Sequence, residues 1–166
     1  YIDVLGNKAS TSSELKLLEV NLKGENRGKN GYGETEEPST WVWTESDLIM
    51  VDLIKELHRN GIRVIFDGVF NHSSSDHWTF NMVLADGESS KYKDWYKFTD
   101  FGQHVPITDE MSDEQAFETL IANRKRTIYN AWGGFDSLPE FNTFNQEYKE
   151  YIFNITRKWM YGPDGK

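Results

Sequence analysis

The segment GIRVIFDGVFNH, residues 61–72, is the most informative part of this chain. Its first half is short, apolar and rich in β-branched residues, and its glycine ends the helical pattern before it. This composition predicts one buried parallel strand over 62–70. Parallel α/β architectures place their chemistry at the carboxyl ends of strands. We therefore expect a functional site at the polar residues where this strand ends, which are Asp67, Asn71 and His72.

The residues before this segment predict a helix over 45–59. Thr44 is a favourable N-cap, and acidic residues in the first turn complement the helix dipole. Gly61 supplies the stop. A helix that runs directly into a strand is half of a repeating β/α unit. Apolar residues at helical spacing form one stripe on this helix, namely Met50, Leu53, Ile54 and Leu57.

Two further helices are predicted after His72. One covers 112–125, and its apolar face consists of Phe117, Leu120 and Ile121. The other begins after Asn145 and ends at Gly162, and its stripe consists of Tyr148, Tyr151, Ile152, Ile155 and Trp159.

In a β/α repeat, a strand and its helix are joined by about 2–6 residues. The much longer join between His72 and Asn145 predicts a small domain inserted after the strand.

The composition limits the classes of function. The chain has 166 residues, enough for a domain with a core, and a formal net charge of -9. Nucleic acid is not expected as a partner, because phosphate binding requires a basic face. A membrane is not expected either, since no apolar run approaches the ~20 residues of a spanning helix. The lack of cysteine excludes disulfides and thiolate chemistry.

These motifs, in this order, resemble the α-amylase superfamily, glycoside hydrolase family thirteen. The first signature of that family is an Asp-x-x-x-Asn-His at the end of the third strand of a (β/α)8 barrel, and it matches Asp67, Asn71 and His72. A weaker signature closes the inserted domain B, and it matches LPEFN, residues 138–142. The approach to it, residues 129–137, looks most like the cyclomaltodextrinase, neopullulanase and bacterial α-glucosidase branch.

The resemblance implies an α/β fold, a partial (β/α)8 TIM barrel that comprises the third strand, its flanking helices and domain B. Residues 1–40 would be a loop excursion after the second barrel strand, and 41–72 would be the barrel helix and third strand. Residues 73–137 would form domain B, and 138–166 would return to the barrel and its next helix. We expect the chain to be an internal segment of a longer catalytic domain. The family's catalytic carboxylates follow the fourth and fifth strands, so none is expected within this chain.

The resemblance also assigns roles to single residues. His72 would donate a hydrogen bond to a hydroxyl of the sugar held at the cleavage point. The alternative is a histidine that caps the strand end without a ligand. Asp67 would support an arginine on the next strand, because a carboxylate inside a barrel must be paired.

A calcium site is implied at two further residues. In α-amylases, the residue matching Asn71 gives its amide oxygen to a calcium ion that pins domain B to the barrel, and Glu140 stands where the other side-chain ligand lies. Many neopullulanase-like relatives carry a lysine at that second position, and its ammonium would substitute for the ion. Calcium binding and a plain hydrogen bond from Asn71 across the domain junction both stay open. No other cofactor is implied.

Aromatic residues make up 14% of the chain and are candidates for stacking on sugar rings. The candidates are Trp78, Trp95, Tyr96, Trp132 and Phe135. For most of them a place in the core is expected. Trp132, which lies among glycines near the end of domain B, is the preferred sugar platform.

The chain is therefore expected to be part of a retaining glycoside hydrolase that acts on α-1,4-linked glucans or maltooligosaccharides. One alternative is a superfamily isomerase or transglycosylase that uses the same site. Another is a catalytically silent carbohydrate-binding or transporter-associated subunit. A third is an unrelated α/β binding domain, which predicts no large excursion between 62–70 and 145–160. Localisation and oligomeric state do not follow from these residues.

Overall fold

The structure, a computed structural model, describes residues 21–165, so the loop predicted for 1–40 lies partly outside the described residues. Within that range the regular structure is four α-helices, four short 3-10 helices and one two-stranded antiparallel sheet. The helices are α1 (Glu45–Arg59), α2 (Trp78–Asp86), α3 (Asp113–Arg126) and α4 (Gln146–Tyr161), and the strands are β1 (Phe98–Asp100) and β2 (Ile128–Tyr129). None of these helices is long and apolar enough to cross a membrane.

The three predicted helices are present as α1, α3 and α4. Thr44 caps α1 through a capping box, Ser112 caps α3 in the same way, and Asn145 caps α4. These side chains satisfy backbone N–H groups that have no partner inside the helix. The local capping residues therefore identify each helix start to within one residue.

The predicted apolar faces are only partly confirmed. On α3 the buried residues are Ala116, Leu120 and Asn123, while Phe117 is 61% exposed. With about 3.6 residues per turn, Phe117 lies roughly 100° around the helix from Ala116 and points away from the core. On α1 Leu53 is 50% exposed, and Val51 is the buried residue instead.

The core lies around α2, which the sequence analysis did not predict. Every residue of α2 from Trp78 to Ala85 is buried. A helix buried on all sides shows no amphipathic period, so the pattern that reveals α1 and α4 is absent here. The buried partners of this helix are Tyr92, Trp95, Tyr96, Ile107, Ala116, Leu120, Phe141 and Tyr148. We call residues 73–137 the lobe and residues 138–142 the closing segment.

The prediction of a buried parallel strand over 62–70 is wrong for this structure. None of its residues is paired in a sheet, and Ile65 is 92% exposed. A parallel strand takes its burial and hydrogen bonds from strands beside it, and no strand of the described residues lies next to 62–70. The segment is held by α4 instead. Phe66 packs against Trp159 with ring centroids 5.4 Å apart, and the Tyr148 hydroxyl donates to the Phe70 carbonyl at 2.7 Å.

Residues 21–40 lie against the lobe. They contain one turn of 3-10 helix, Pro38–Thr40, and otherwise consist of turns and loop. Charged contacts attach them to three parts of the lobe, through the pairs Arg27–Asp86, Lys23–Asp113 and Glu36–Lys91. The described half of the predicted loop is therefore docked by ion pairs on the surface of the lobe.

Candidate functional site

The two sequence signatures lie side by side although they are far apart in the chain. His72 and Glu140 form an antiparallel bridge. The Phe141 N–H donates to the Asn71 carbonyl at 2.9 Å, and the Ser73 N–H donates to the Pro139 carbonyl at 3.0 Å. The closing segment therefore fixes the backbone on both sides of His72.

The opposite edge of the closing segment pairs with the lobe. The Glu140 N–H donates to the Asn130 carbonyl at 2.9 Å, and the Lys97 N–H donates to the Glu140 carbonyl at 3.3 Å. Tyr96 and Phe141 form a second bridge. Residue 140 is thus held between His72 on one side and the lobe on the other.

The Phe141 side chain anchors this arrangement in the core. It is 5% exposed and stacks on Tyr96 and Tyr148, with ring centroids 4.7 Å and 4.2 Å away. Since Tyr148 also holds the Phe70 carbonyl, the aromatic stack connects α4, the closing segment and the residues before His72. Offset aromatic pairs of this kind add about 0.5–1.5 kcal/mol beyond the area that they bury.

His72 lies flat against Trp132. Their ring centroids are 5.1 Å apart and the planes are inclined by 20°. Nδ1 of His72 is buried and has no hydrogen-bond partner among the described residues. Trp132 keeps 50% of its surface exposed, so the pair forms an aromatic patch that solvent reaches.

A tight loop presents Trp132. The Trp132 N–H donates to the Leu138 carbonyl at 2.9 Å, and the Leu138 N–H donates to the Phe135 carbonyl at 2.8 Å. Gly133 and Gly134 have φ values of +63° and +78°, a region that side-chain-bearing residues rarely adopt. The glycines allow the chain to turn within this short distance, and Phe135, which follows them, is 61% exposed.

Asp67 is exposed, and no ion pair or hydrogen bond to it comes from residues 21–165. The predicted arginine partner therefore does not lie in the described part of the chain. The structure brings His72, Trp132 and Glu140 together, and within the described part of the chain Asp67 has no charged partner.

The residues proposed as calcium ligands do not fit the ion in this arrangement. The Glu140 carboxylate is paired with the Lys97 ammonium, with Nζ and Oε2 2.9 Å apart. Calcium takes 6–8 oxygen ligands and is repelled by a neighbouring ammonium. Within 21–165 no group of three or more acidic or histidine side chains is placed to hold a metal ion. The sequence does not predict this role of Lys97, because no local pattern marks its contact with Glu140.

Three of the aromatic candidates belong to the core. Trp78, Trp95 and Tyr96 are 5%, 2% and 4% exposed, so none of them offers a face to a sugar. Burial raises the pKa of the Tyr96 hydroxyl, which bonds to Thr79 Oγ1 at 2.7 Å. Burial also lowers the pKa of His77 from 6.5 to about 4, and Nδ1 of His77 lies 2.8 Å from Thr79 Oγ1. This buried network keeps His77 neutral at the start of α2.

Comparison with known proteins gives consistent matches. The family model described as "Alpha amylase, catalytic domain" matches residues 44–164. Neopullulanase 2 from Thermoactinomyces vulgaris is 36% identical over 115 residues, which is 68% of this chain and 17% of that protein. Maltogenic alpha-amylase from Bacillus acidopullulyticus is 35% identical over 108 residues, which is 65% of this chain and 15% of that protein.

A solved structure supports the same relationship. The debranching enzyme from Nostoc punctiforme is 29% identical, with a TM-score of 0.51 over 76% of this chain and 23% of that chain. The chain spans less than a quarter of the length of each of these three relatives.

Proposed function

The chain belongs to the α-amylase catalytic-domain family, and on this basis we propose that it is part of a retaining glycoside hydrolase acting on α-1,4-linked glucans or maltooligosaccharides. In this proposal residues 41–72 supply the barrel helix and third strand, and 73–137 supply domain B. Residues from 138 onward return the chain to the barrel. The observation that carries the proposal is the closing segment, which sets His72 beside an exposed tryptophan.

His72 binds a hydroxyl of the sugar at the cleavage point. Its ring is held by stacking on Trp132 and its backbone by the bridge to Glu140, so the imidazole has little freedom to turn. Because Nδ1 is buried, Nε2 is the nitrogen that donates to the ligand. A directional donor of this kind tightens as the sugar ring distorts toward its transition state.

Trp132 serves as the platform for a sugar ring, and Phe135 extends it. Both side chains are more than a third exposed, and both lie in the loop that ends at the closing segment. The apolar face of a glucose ring packs on such a surface while its hydroxyls reach polar groups at the edge. The His72 ring stacks on one face of Trp132, so the sugar would pack on the part of the indole that remains exposed.

Asp67 supplies a carboxylate to a cation in the complete site. Asp67 is exposed in the structure of residues 21–165, so its carboxylate is available to an arginine from elsewhere in the protein. A carboxylate that becomes buried in a barrel requires such a partner. Calcium at Asn71 and Glu140 forms no part of this proposal, because Lys97 already neutralises the Glu140 carboxylate.

The test is hydrolysis of maltooligosaccharides by the full-length protein that contains this chain. Trp132→Ala is expected to raise KM about 2- to 12-fold, corresponding to a stacking energy of about 0.5–1.5 kcal/mol. His72→Gln is expected to lower kcat/KM about 10- to 100-fold through the lost hydrogen bond in the transition state. Phe117→Ala is the matched control, because this exposed aromatic residue lies on α3, outside the proposed site.

The outcomes separate the alternatives. Hydrolysis that depends on Trp132 and His72, but not on Phe117, supports the proposal. Binding of maltooligosaccharides without turnover would favour a catalytically silent carbohydrate-binding subunit. New or rearranged glycosidic linkages among the products would favour a transglycosylase or an isomerase.

A further inference from the structure

The Lys97–Glu140 ion pair lies at the junction between the lobe and the closing segment. Nζ of Lys97 is 2.9 Å from Oε2 of Glu140, and the two side chains are 38% and 23% exposed. The backbones of the same two residues are also joined, since the Lys97 N–H donates to the Glu140 carbonyl at 3.3 Å. The contact therefore uses both the main chain and the side chains.

The backbone around Lys97 is held independently of its charge. The Asn130 N–H donates to the Lys97 carbonyl at 2.9 Å, and Tyr96 beside it is buried in the core. The Lys97 side chain therefore extends toward Glu140 from a fixed point of the backbone. Glu140 in turn lies opposite His72.

We propose that Lys97 is the built-in cation of this junction: it neutralises Glu140, holds the closing segment to the lobe without calcium, and thereby positions His72. The catalytic part of this inference rests on the function proposed above, and the calcium part does not. Lys97 is a positioning residue, because it acts on the sugar only through Glu140 and His72.

The chemistry of the donors supports this assignment. An ammonium at 2.9 Å supplies the positive charge that a cation site would otherwise need. A calcium ion bound to the same carboxylate would face that ammonium at short range, and no group of three acidic or histidine side chains within 21–165 is placed to contribute to its 6–8 ligands. The lysine already occupies Oε2 of this carboxylate, and it is covalently part of the chain.

The first experiment measures calcium dependence in the full-length protein. Thermal unfolding is compared in calcium chloride and in EDTA for the wild type and for Glu140→Gln. We expect the calcium-induced change in Tm to be the same in both proteins, because any calcium bound elsewhere does not involve Glu140. A calcium-induced stabilisation that disappears in Glu140→Gln would overturn the inference.

The second experiment tests the pair by exchanging its charges. Lys97→Glu and Glu140→Lys alone are each expected to lower kcat/KM for maltooligosaccharides about 5- to 50-fold, because small displacements of a positioned group are costly. The double exchange is expected to recover most of this loss, and Lys97→Arg is expected to retain activity. Lys91→Met, which removes a lysine paired with Glu36 elsewhere in the lobe, is the control.

The pattern of kinetic constants completes the test. We expect kcat to fall more than KM rises, since the aromatic platform remains while His72 moves. A double exchange no better than the product of the two single effects would overturn the positioning role. Absence of activity in the wild type would refute the proposed function and leave the calcium experiment as the test of the ion pair.

Discussion

Replacement of Phe141 by alanine is expected to be among the most destabilising single changes in this chain. The side chain is 5% exposed and loses its stacks on Tyr96 and Tyr148. Truncation of a buried phenylalanine costs about 3–5 kcal/mol, which is a large fraction of the ~5–15 kcal/mol that stabilises a typical domain. With a urea m-value of about 2 kcal/mol per M, the unfolding midpoint should fall by roughly 2 M.

Phe144→Ala is the matched control for this prediction. It makes the same chemical change three residues further along, where the side chain is 86% exposed. A change at such a surface position is expected to stay within about 0.5 kcal/mol. Urea unfolding of the chain, followed by tryptophan fluorescence, measures both variants. Equal effects of the two substitutions, or a loss below about 1 kcal/mol for Phe141→Ala, would refute the assignment of Phe141 to the core.

Two further predictions concern buried polar groups. Asn123→Leu removes hydrogen bonds to the Leu84 and Val105 carbonyls, both at 2.8 Å. The loss should lower the free energy of unfolding, measured in urea, by about 2–5 kcal/mol. An unchanged free energy of unfolding would contradict the burial of these carbonyls. Because burial lowers the pKa of His77 to about 4, the unfolded chain binds a proton more readily than the folded chain between about pH 6.5 and pH 4. The contribution of neutral His77 to the free energy of unfolding should be fully present above about pH 6.5. The free energy of unfolding should then fall by at most about 3 kcal/mol as the pH drops to 4. His77→Asn keeps an N-cap and should flatten this dependence, and an unchanged pH profile would show that another group is responsible.

The helices that sequence reasoning predicts correctly are those with local signals. Thr44 and Asn145 cap helices by hydrogen bonds to residues three positions away, so the local sequence contains both partners of the interaction. The same reasoning fails for α2, because a helix buried on every side has no polar face to reveal its period. It also fails for 62–70, where strand formation depends on neighbours rather than on the segment itself.

The features of the site also divide into those that the local sequence predicts and those that depend on distant parts of the chain. The residue types at His72 and Glu140 follow from their motifs, and the resemblance to a known family connects them. The partner of Glu140 does not follow, because Lys97 lies in a loop of the lobe and its contact depends on how the whole lobe folds. The glycines next to Trp132 indicate an exposed side chain in the sequence, and they do form the turn that exposes it. Its stack on His72 has no local signal, because the two residues are far apart in the chain.

The central claim is that the DGVFNH segment and the closing segment form one antiparallel pair with His72 opposite Glu140. The flanking hydrogen bonds make this a non-hydrogen-bonded pair, whose Cα atoms are about 4.5 Å apart and within disulfide range. The chain contains no cysteine, so the double variant His72→Cys, Glu140→Cys introduces its only two thiols. A disulfide within one chain is expected under mild oxidation, detected as loss of both free thiols in the monomer. No such bond is expected when Glu140→Cys is replaced by Asp136→Cys, four residues away along the chain. Two free thiols remaining in the His72→Cys, Glu140→Cys variant would contradict the claim.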